Sequence, residues 1–222
     1  MAKFNKIDTI SIIRSTGIVP VFYYGDFSVA KKVVKACYDG GIRAFEFTNR
    51  GDGADEVFKE LIAYVRKECP EMALGAGTIL DAGTASAYIQ AGADFLVSPC
   101  TVDEIIPLAN RRGVPYCPGC GTVTEIVHAI EKGCDLVKIF PAGNVGGPSF
   151  VKNVRGPLPW VMFMATGAVE PTEENLSAWA ASGVTAVGMG SKLFPKAAIA
   201  SGDWAAITEL CRSSLAWFHP GK

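Results

Sequence analysis

Leu136-Val137-Lys138-Ile139-Phe140-Pro141 sets one cation in the middle of an apolar run that reads as a buried strand. Strand side chains alternate between faces, so Leu136, Lys138 and Phe140 share one side and Val137 and Ile139 the other. An ammonium enclosed there is costly unless it meets a partner or gives up its proton. A lysine kept neutral is a nucleophile; one that snorkels from a strand end or completes a structural ion pair is not. The surrounding chain decides between these readings.

Seven further runs read as strands, at about 18–24, 44–48, 73–79, 95–99, 115–119, 160–167 and 186–191. Helical spacing fills the intervals: about 4–16, from Ser28 as a cap to Gly40, then about 53–68, 81–91, 102–112, 122–132, 147–155 and 171–183. Eight strands alternating with helices imply parallel pairing, and in 222 residues they fit a compact (β/α)8 barrel of the α/β class. The competing fold is an open doubly wound sheet, which calls for a glycine-rich turn after the first strand. Gly25-Asp26-Phe27 supplies none, and the barrel is favoured. The reading is one barrel domain over 1–222, with an N-terminal helix within 1–17 capping it and a C-terminal helix in 200–222.

Charge is nearly balanced, at net −1, and 49% of residues are hydrophobic, so the chain can bury a full core. No basic or acidic block points to nucleic acid or a membrane surface as partner, and no run approaches a spanning helix. The N-terminus lacks the apolar stretch of a secretory signal, which places the chain in the cytoplasm. Seven cysteines then read as reduced core residues. Cys117-Pro118-Gly119-Cys120 matches a C-x-x-C pattern, but there is no second one and the histidines, His128 and His219, stand far apart in sequence, so neither redox chemistry nor a metal site is expected.

A second charge interrupts a strand at Ala44-Phe45-Glu46-Phe47-Thr48. If the phenylalanines pack outward against helices, Glu46 projects into the same interior as Lys138. A buried structural ion pair is the plain alternative, although such pairs often stabilise no more than apolar replacements. Chemistry on this architecture sits at the C-terminal strand ends, where Arg50, Thr78, Ser98, Pro99 and Thr166 gather. Arg50 offers a fork for a carboxylate or phosphate, or is a solvated loop residue. The last two strands end in Thr166-Gly167-Ala168 and Gly188-Met189-Gly190-Ser191-Lys192, small residues that let an anion approach the backbone, as at the phosphate site common in barrels.

With these residues assembled, the chain resembles the class I aldolases of the 2-keto-3-deoxy-6-phosphogluconate (KDPG) and 4-hydroxy-2-oxoglutarate (KHG) family. The likeness is carried by Glu46-Phe47-Thr48-Asn49-Arg50, Gly75-Ala76-Gly77-Thr78, Ser98-Pro99, Pro118-Gly119 and Val137-Lys138-Ile139-Phe140-Pro141. The resemblance implies a lyase that forms a Schiff base on Lys138 with Glu46 as acid/base. It further implies that Arg50 and Thr78 hold the keto-acid carboxylate, that Pro99 and Phe140 pack against substrate, and that Thr166, Gly167, Ala168, Gly190 and Ser191 hold the phosphate. It implies no cofactor and no metal, since an iminium supplies the electron sink, and a homotrimer as the assembly.

The chain departs from the family at two points: Ala168 stands where many members have a second glycine, and Tyr23-Tyr24-Gly25 where several carry a basic residue. The Cys117–Cys120 segment with Thr122-x-Thr124-Glu125 is also similar to the sister 6-phosphogalactonate aldolases. A sugar-phosphate isomerase or a non-catalytic phosphate-binding barrel would share the loops but not need a lysine in the sixth strand.

Overall fold

The computed structural model describes residues 1–219 and forms a nearly closed barrel of parallel strands wrapped by helices. The strands are β1 Ile18–Phe22, β2 Ala44–Thr48, β3 Ala73–Gly77, β4 Leu96–Val97, β5 Tyr116–Cys117, β6 Gly119–Cys120, β7 Leu136–Ile139, β8 Met162–Thr166 and β9 Ala186–Met189. They follow the order β5-β4-β3-β2-β1-β9-β8-β7-β6. The (β/α)8 reading therefore holds, with nine strand segments where eight runs were expected. The extra segment arises at Pro118, which has no N–H for the ladder. Cys117 pairs with Val97 on one side and Gly119 with Lys138 on the other, so β5 and β6 are one run divided at the barrel's seam.

The helices are α1 Lys6–Thr16, α2 Phe27–Asp39, α3 Ala54–Glu68, α4 Ala82–Ala91, α5 Ile105–Arg112, α6 Val123–Glu131, α7 Gly147–Val154, α8 Glu173–Ala181, α9 Lys196–Ser201 and α10 Trp204–Phe218. Local chemistry explains their starts. Asn5, Asp81, Thr122, Thr172 and Asp203 each accept a backbone N–H from the first turn, and Thr122 with Glu125 forms a reciprocal capping box. The expected cap at Ser28 is displaced to Asp26, whose carboxylate accepts from the Ser28 N–H at 2.7 Å. Of the helix expected within 200–222, α10 covers 204–218 and residues 220–222 lie outside the described residues. Among the described residues no helix is long and apolar enough to cross a membrane.

Strand alternation divides the core in two. Phe45, Phe47, Val137, Ile139, Phe163 and Val187 face outward into the layer between strands and helices. Val19, Ala44, Ala73, Phe95, Leu136, Met164 and Ala186 face the axis, and Ile13 of α1 packs into their cluster. The segment before α1 is tied to the barrel by buried Asp94, which accepts the Lys3 and Phe4 N–H groups at 2.7 and 3.3 Å and that of Leu74 at 3.0 Å. The axial filling is apolar toward the strand starts. Toward the strand ends it gives way to Glu46, Thr48, Lys138 and Thr166, all buried.

Candidate active site

Lys138 and Glu46 stand on β7 and β2, on opposite sides of the strand ring, and both point inward. They are 4% and 1% exposed, so neither charge is answered by bulk water. No ion-pair contact joins them, and the Glu46 Oε2 atom has no hydrogen-bond partner. Burial pushes the Glu46 carboxyl above the usual carboxylate range, with the Lys138 and Arg50 charges opposing the rise. The plain structural ion pair is thus absent. What remains is a carboxyl with raised proton affinity and an amine, both buried and both on the inner face of the barrel.

Glu46 has room because of its neighbour in the sheet. A Cβ on Gly77 would fall on the Glu46 carboxyl, so the glycine of β3 is what lets the side chain reach the axis. Gly188 does the same for Thr166, whose buried Oγ1 also lacks a partner. Phe140 follows β7 with its ring centroid 4.9 Å from the Lys138 Nζ, and so walls one side of the amine.

Arg50 lies just past β2 and is exposed; its Nε donates to the Thr78 Oγ1 at 3.4 Å, which joins the two residues expected to act together. Thr78 holds a φ of 61°, a left-handed conformation rare for a β-branched residue, as the chain leaves β3. Ala168 has a φ of 58°, again in the left-handed region that glycine enters most easily. Its loop is fixed by Asn175 of α8, which donates to the Ala168 carbonyl at 3.2 Å and accepts the Glu170 N–H at 2.9 Å. The backbone amides of Gly167 and Ala168 donate to no carbonyl among the described residues.

At the strand ends opens a cavity of about 330 Å³ that takes in Arg50, Phe140, Thr166-Gly167-Ala168 and Gly190-Ser191, though neither Lys138 nor Glu46 is among its lining residues. It therefore unites seven of the residues singled out from sequence, with Lys138 reached past Phe140 and Thr78 joined through Arg50. Pro99 is set apart from the cavity wall; its carbonyl lies against Gly119, the register partner of Lys138. Five lining residues were not singled out from sequence: Val21, Val169, Glu170 and, named there only within their loop, Gly188 and Lys192. Glu170 lies two residues before a helix cap, where a carboxylate ordinarily signals nothing but a helix start. A larger groove of about 790 Å³ lies at the other end of the barrel, beside Arg14, Arg155 and Met162, far from any buried acid or amine. The smaller cavity is the one tied to the buried pair, through Phe140 beside the Lys138 amine and Arg50 whose charge acts on Glu46.

The C-x-x-C segment does not converge. Cys117 faces the axis with Leu136 and Met164, whereas Cys120 faces the helical layer and has its Sγ 3.5 Å from the Thr101 Oγ1. Burial holds both thiols up, Cys120 to about 11, so neither is poised as a thiolate.

A family model described as KDPG and KHG aldolase matches residues 9–210. The chain belongs to the KDPG and KHG aldolase family. Its similarity extends end to end: a 2-dehydro-3-deoxy-phosphogluconate aldolase of Pseudoalteromonas atlantica is 33% identical over 97% of this chain and 98% of its own. A KHG/KDPG aldolase of Escherichia coli is 31% identical over 95% of this chain and 96% of its own. The crystal structure of a KDPG aldolase from Legionella pneumophila, with pyruvate captured as a covalent carbinolamine, superposes with a TM-score of 0.83. It is 29% identical and covers 93% of this chain and 97% of that one. As a KDPG and KHG aldolase family member the protein is an aldolase, and thus a lyase.

Proposed function

We propose that this chain is a Schiff-base aldolase that reversibly cleaves KDPG to pyruvate and glyceraldehyde 3-phosphate, and that 4-hydroxy-2-oxoglutarate enters the same site and yields pyruvate and glyoxylate. The observation that carries the reading is the inward-facing, buried Lys138 amine and Glu46 carboxyl, with the Glu46 Oε2 unpartnered, in a barrel whose cavity at the strand ends is lined by glycine-containing loops.

In this reading Lys138 attacks the C2 ketone. Glu46, directly or through one water, shuttles the protons that turn the carbinolamine into an iminium with loss of water. Glu46 then takes the C4 hydroxyl proton. The C3–C4 bond breaks, its electron pair moves into the iminium to give an enamine, and the aldehyde leaves. Glu46 returns a proton to C3, and water adds to the pyruvyl iminium to release pyruvate and the amine. A carboxyl whose affinity for protons is raised by burial is better fitted to hold a proton between transfers than a solvated carboxylate is.

Arg50, with Thr78 beside it, holds the keto-acid carboxylate, and Phe140 limits the movement of the carbon chain, while Pro99 supports the Gly119 strand beside Lys138. Thr166, Gly167, Ala168, Gly190 and Ser191 receive the phosphate. The family also suggests a homotrimer, which sedimentation velocity would test against the 23.5 kDa chain mass.

The deciding experiment is incubation with pyruvate and borohydride followed by peptide mapping. A reduced pyruvyl adduct on Lys138 is expected. Folded protein left unmodified at Lys138 would overturn the assignment.

A further inference from the structure

The two loops that close the cavity each bring one charge to it. Glu170 comes from the loop after β8 and Lys192 from the turn after β9, and they meet across the mouth with the Lys192 Nζ 3.3 Å from the Glu170 Oε1. Among the described residues lining the cavity, Lys192 is the sole ammonium, and the only other cation, Arg50, is engaged with Thr78 toward the buried pair. The side chains of Lys192 and Glu170 are 66% and 46% exposed, so their ion pair is a loose one and adds little stability. A carboxylate at a site meant for a dianion is otherwise unfavourable: near pH 7 a phosphate monoester carries nearly two charges, and Glu170 would repel it.

We propose that Lys192 is the residue that selects phosphorylated substrates, and that Glu170 holds it across the empty mouth and yields it to the arriving phosphate. This rests on the aldolase reading above and adds to it a specificity device. The exchange replaces one carboxylate partner by a group with more charge and three acceptor oxygens. Glu170 then faces solvent, which its exposure permits. An uncharged substrate tail leaves the original ion pair in place and gains nothing from Lys192. Selectivity is thus a difference between two substrates at one cation, with Glu170 setting how large the difference is.

The test is steady-state kinetics with KDPG and with the same keto acid lacking its phosphate. In Lys192→Met, KM for KDPG is expected to rise about tenfold with kcat little changed, while KM for the unphosphorylated acid stays within about twofold. Glu170→Gln is expected to lower KM for KDPG several-fold. Equal changes for both substrates, or an unchanged KM for KDPG in Lys192→Met, would overturn the proposal. Calorimetric titration with inorganic phosphate reads the same cation without turnover, and its Kd should weaken about tenfold in Lys192→Met; no weakening overturns the proposal. Pyruvate trapping on Lys138 is measured alongside. Its absence in the wild type would refute the aldolase reading, whereas a phosphate effect confined to Lys192 would still stand.

Discussion

At the scale of single residues the chemistry depends on which of two buried groups holds a proton. Lys138→Arg preserves a positive charge of similar reach, yet a guanidinium stays protonated and cannot attack a ketone. Turnover should fall by at least about 10³-fold, and the borohydride-trapped adduct should vanish from the mass spectrum. Glu46 carries an opposite cost. Its carboxyl binds a proton more tightly when folded than when unfolded, so folding takes up protons and stability falls as pH rises through the folded value. Glu46→Gln should therefore stabilise the protein at pH 7.5 by about 0.5–2 kcal/mol, the scale of a favourable single substitution. The gain should fade below the ordinary carboxyl value of 4.5, where both states hold the proton. Activity in the same variant should drop about 10²–10⁴-fold, as for loss of an acid/base group. Urea titrations at pH 4 and 7.5 check the sign; a destabilised variant at pH 7.5 would mean that the carboxylate is held by a partner.

At the scale of elements, the strands supply the position and their small residues supply the space. Gly77 lies in extended backbone that alanine also adopts, so Gly77→Ala tests packing alone. Its methyl would fall on the Glu46 carboxyl and force it from the axis. We expect kcat/KM to decrease about 100-fold, at a stability cost of about 1–3 kcal/mol and with the circular dichroism spectrum retained. Near-normal turnover would show that Glu46 works from another rotamer. This level also separates what the sequence discloses from what it conceals. Alternation revealed the inward faces of β2 and β7, because period-two patterning is local and the charges broke it at Glu46 and Lys138. Pro118 was visible too, but its effect depends on which neighbours need its missing N–H, and that is a property of the closed sheet. The Glu170–Lys192 contact joins loops 22 positions apart, and no local pattern encodes it. Lys192 enters the sequence reading only as the end of a glycine-rich loop, and Glu170 not at all.

At the scale of the whole molecule, the barrel keeps stability and chemistry at opposite ends of one axial stack. Ile13, 1% exposed, enters that stack from α1 beside Val19, Ala44 and Leu136, and Leu136 precedes Lys138 by two positions on the same face of β7. Truncating it to alanine should cost about 2–4 kcal/mol through lost burial and a residual cavity. For a chain of this size that corresponds to a Tm lower by about 4–15 °C in differential scanning calorimetry. The axial layers between Ile13 and the cavity are close-packed, and the strands that carry Lys138 and Glu46 are held on both sides by ladder partners. The perturbation should therefore stop short of the site: kcat and KM measured well below the new Tm should stay within about twofold of the parent. A folded Ile13→Ala protein with strongly impaired kcat would contradict that separation. It would mean that the position of Lys138 depends on the plug beneath it, and that the helix before β1 is part of what places the amine.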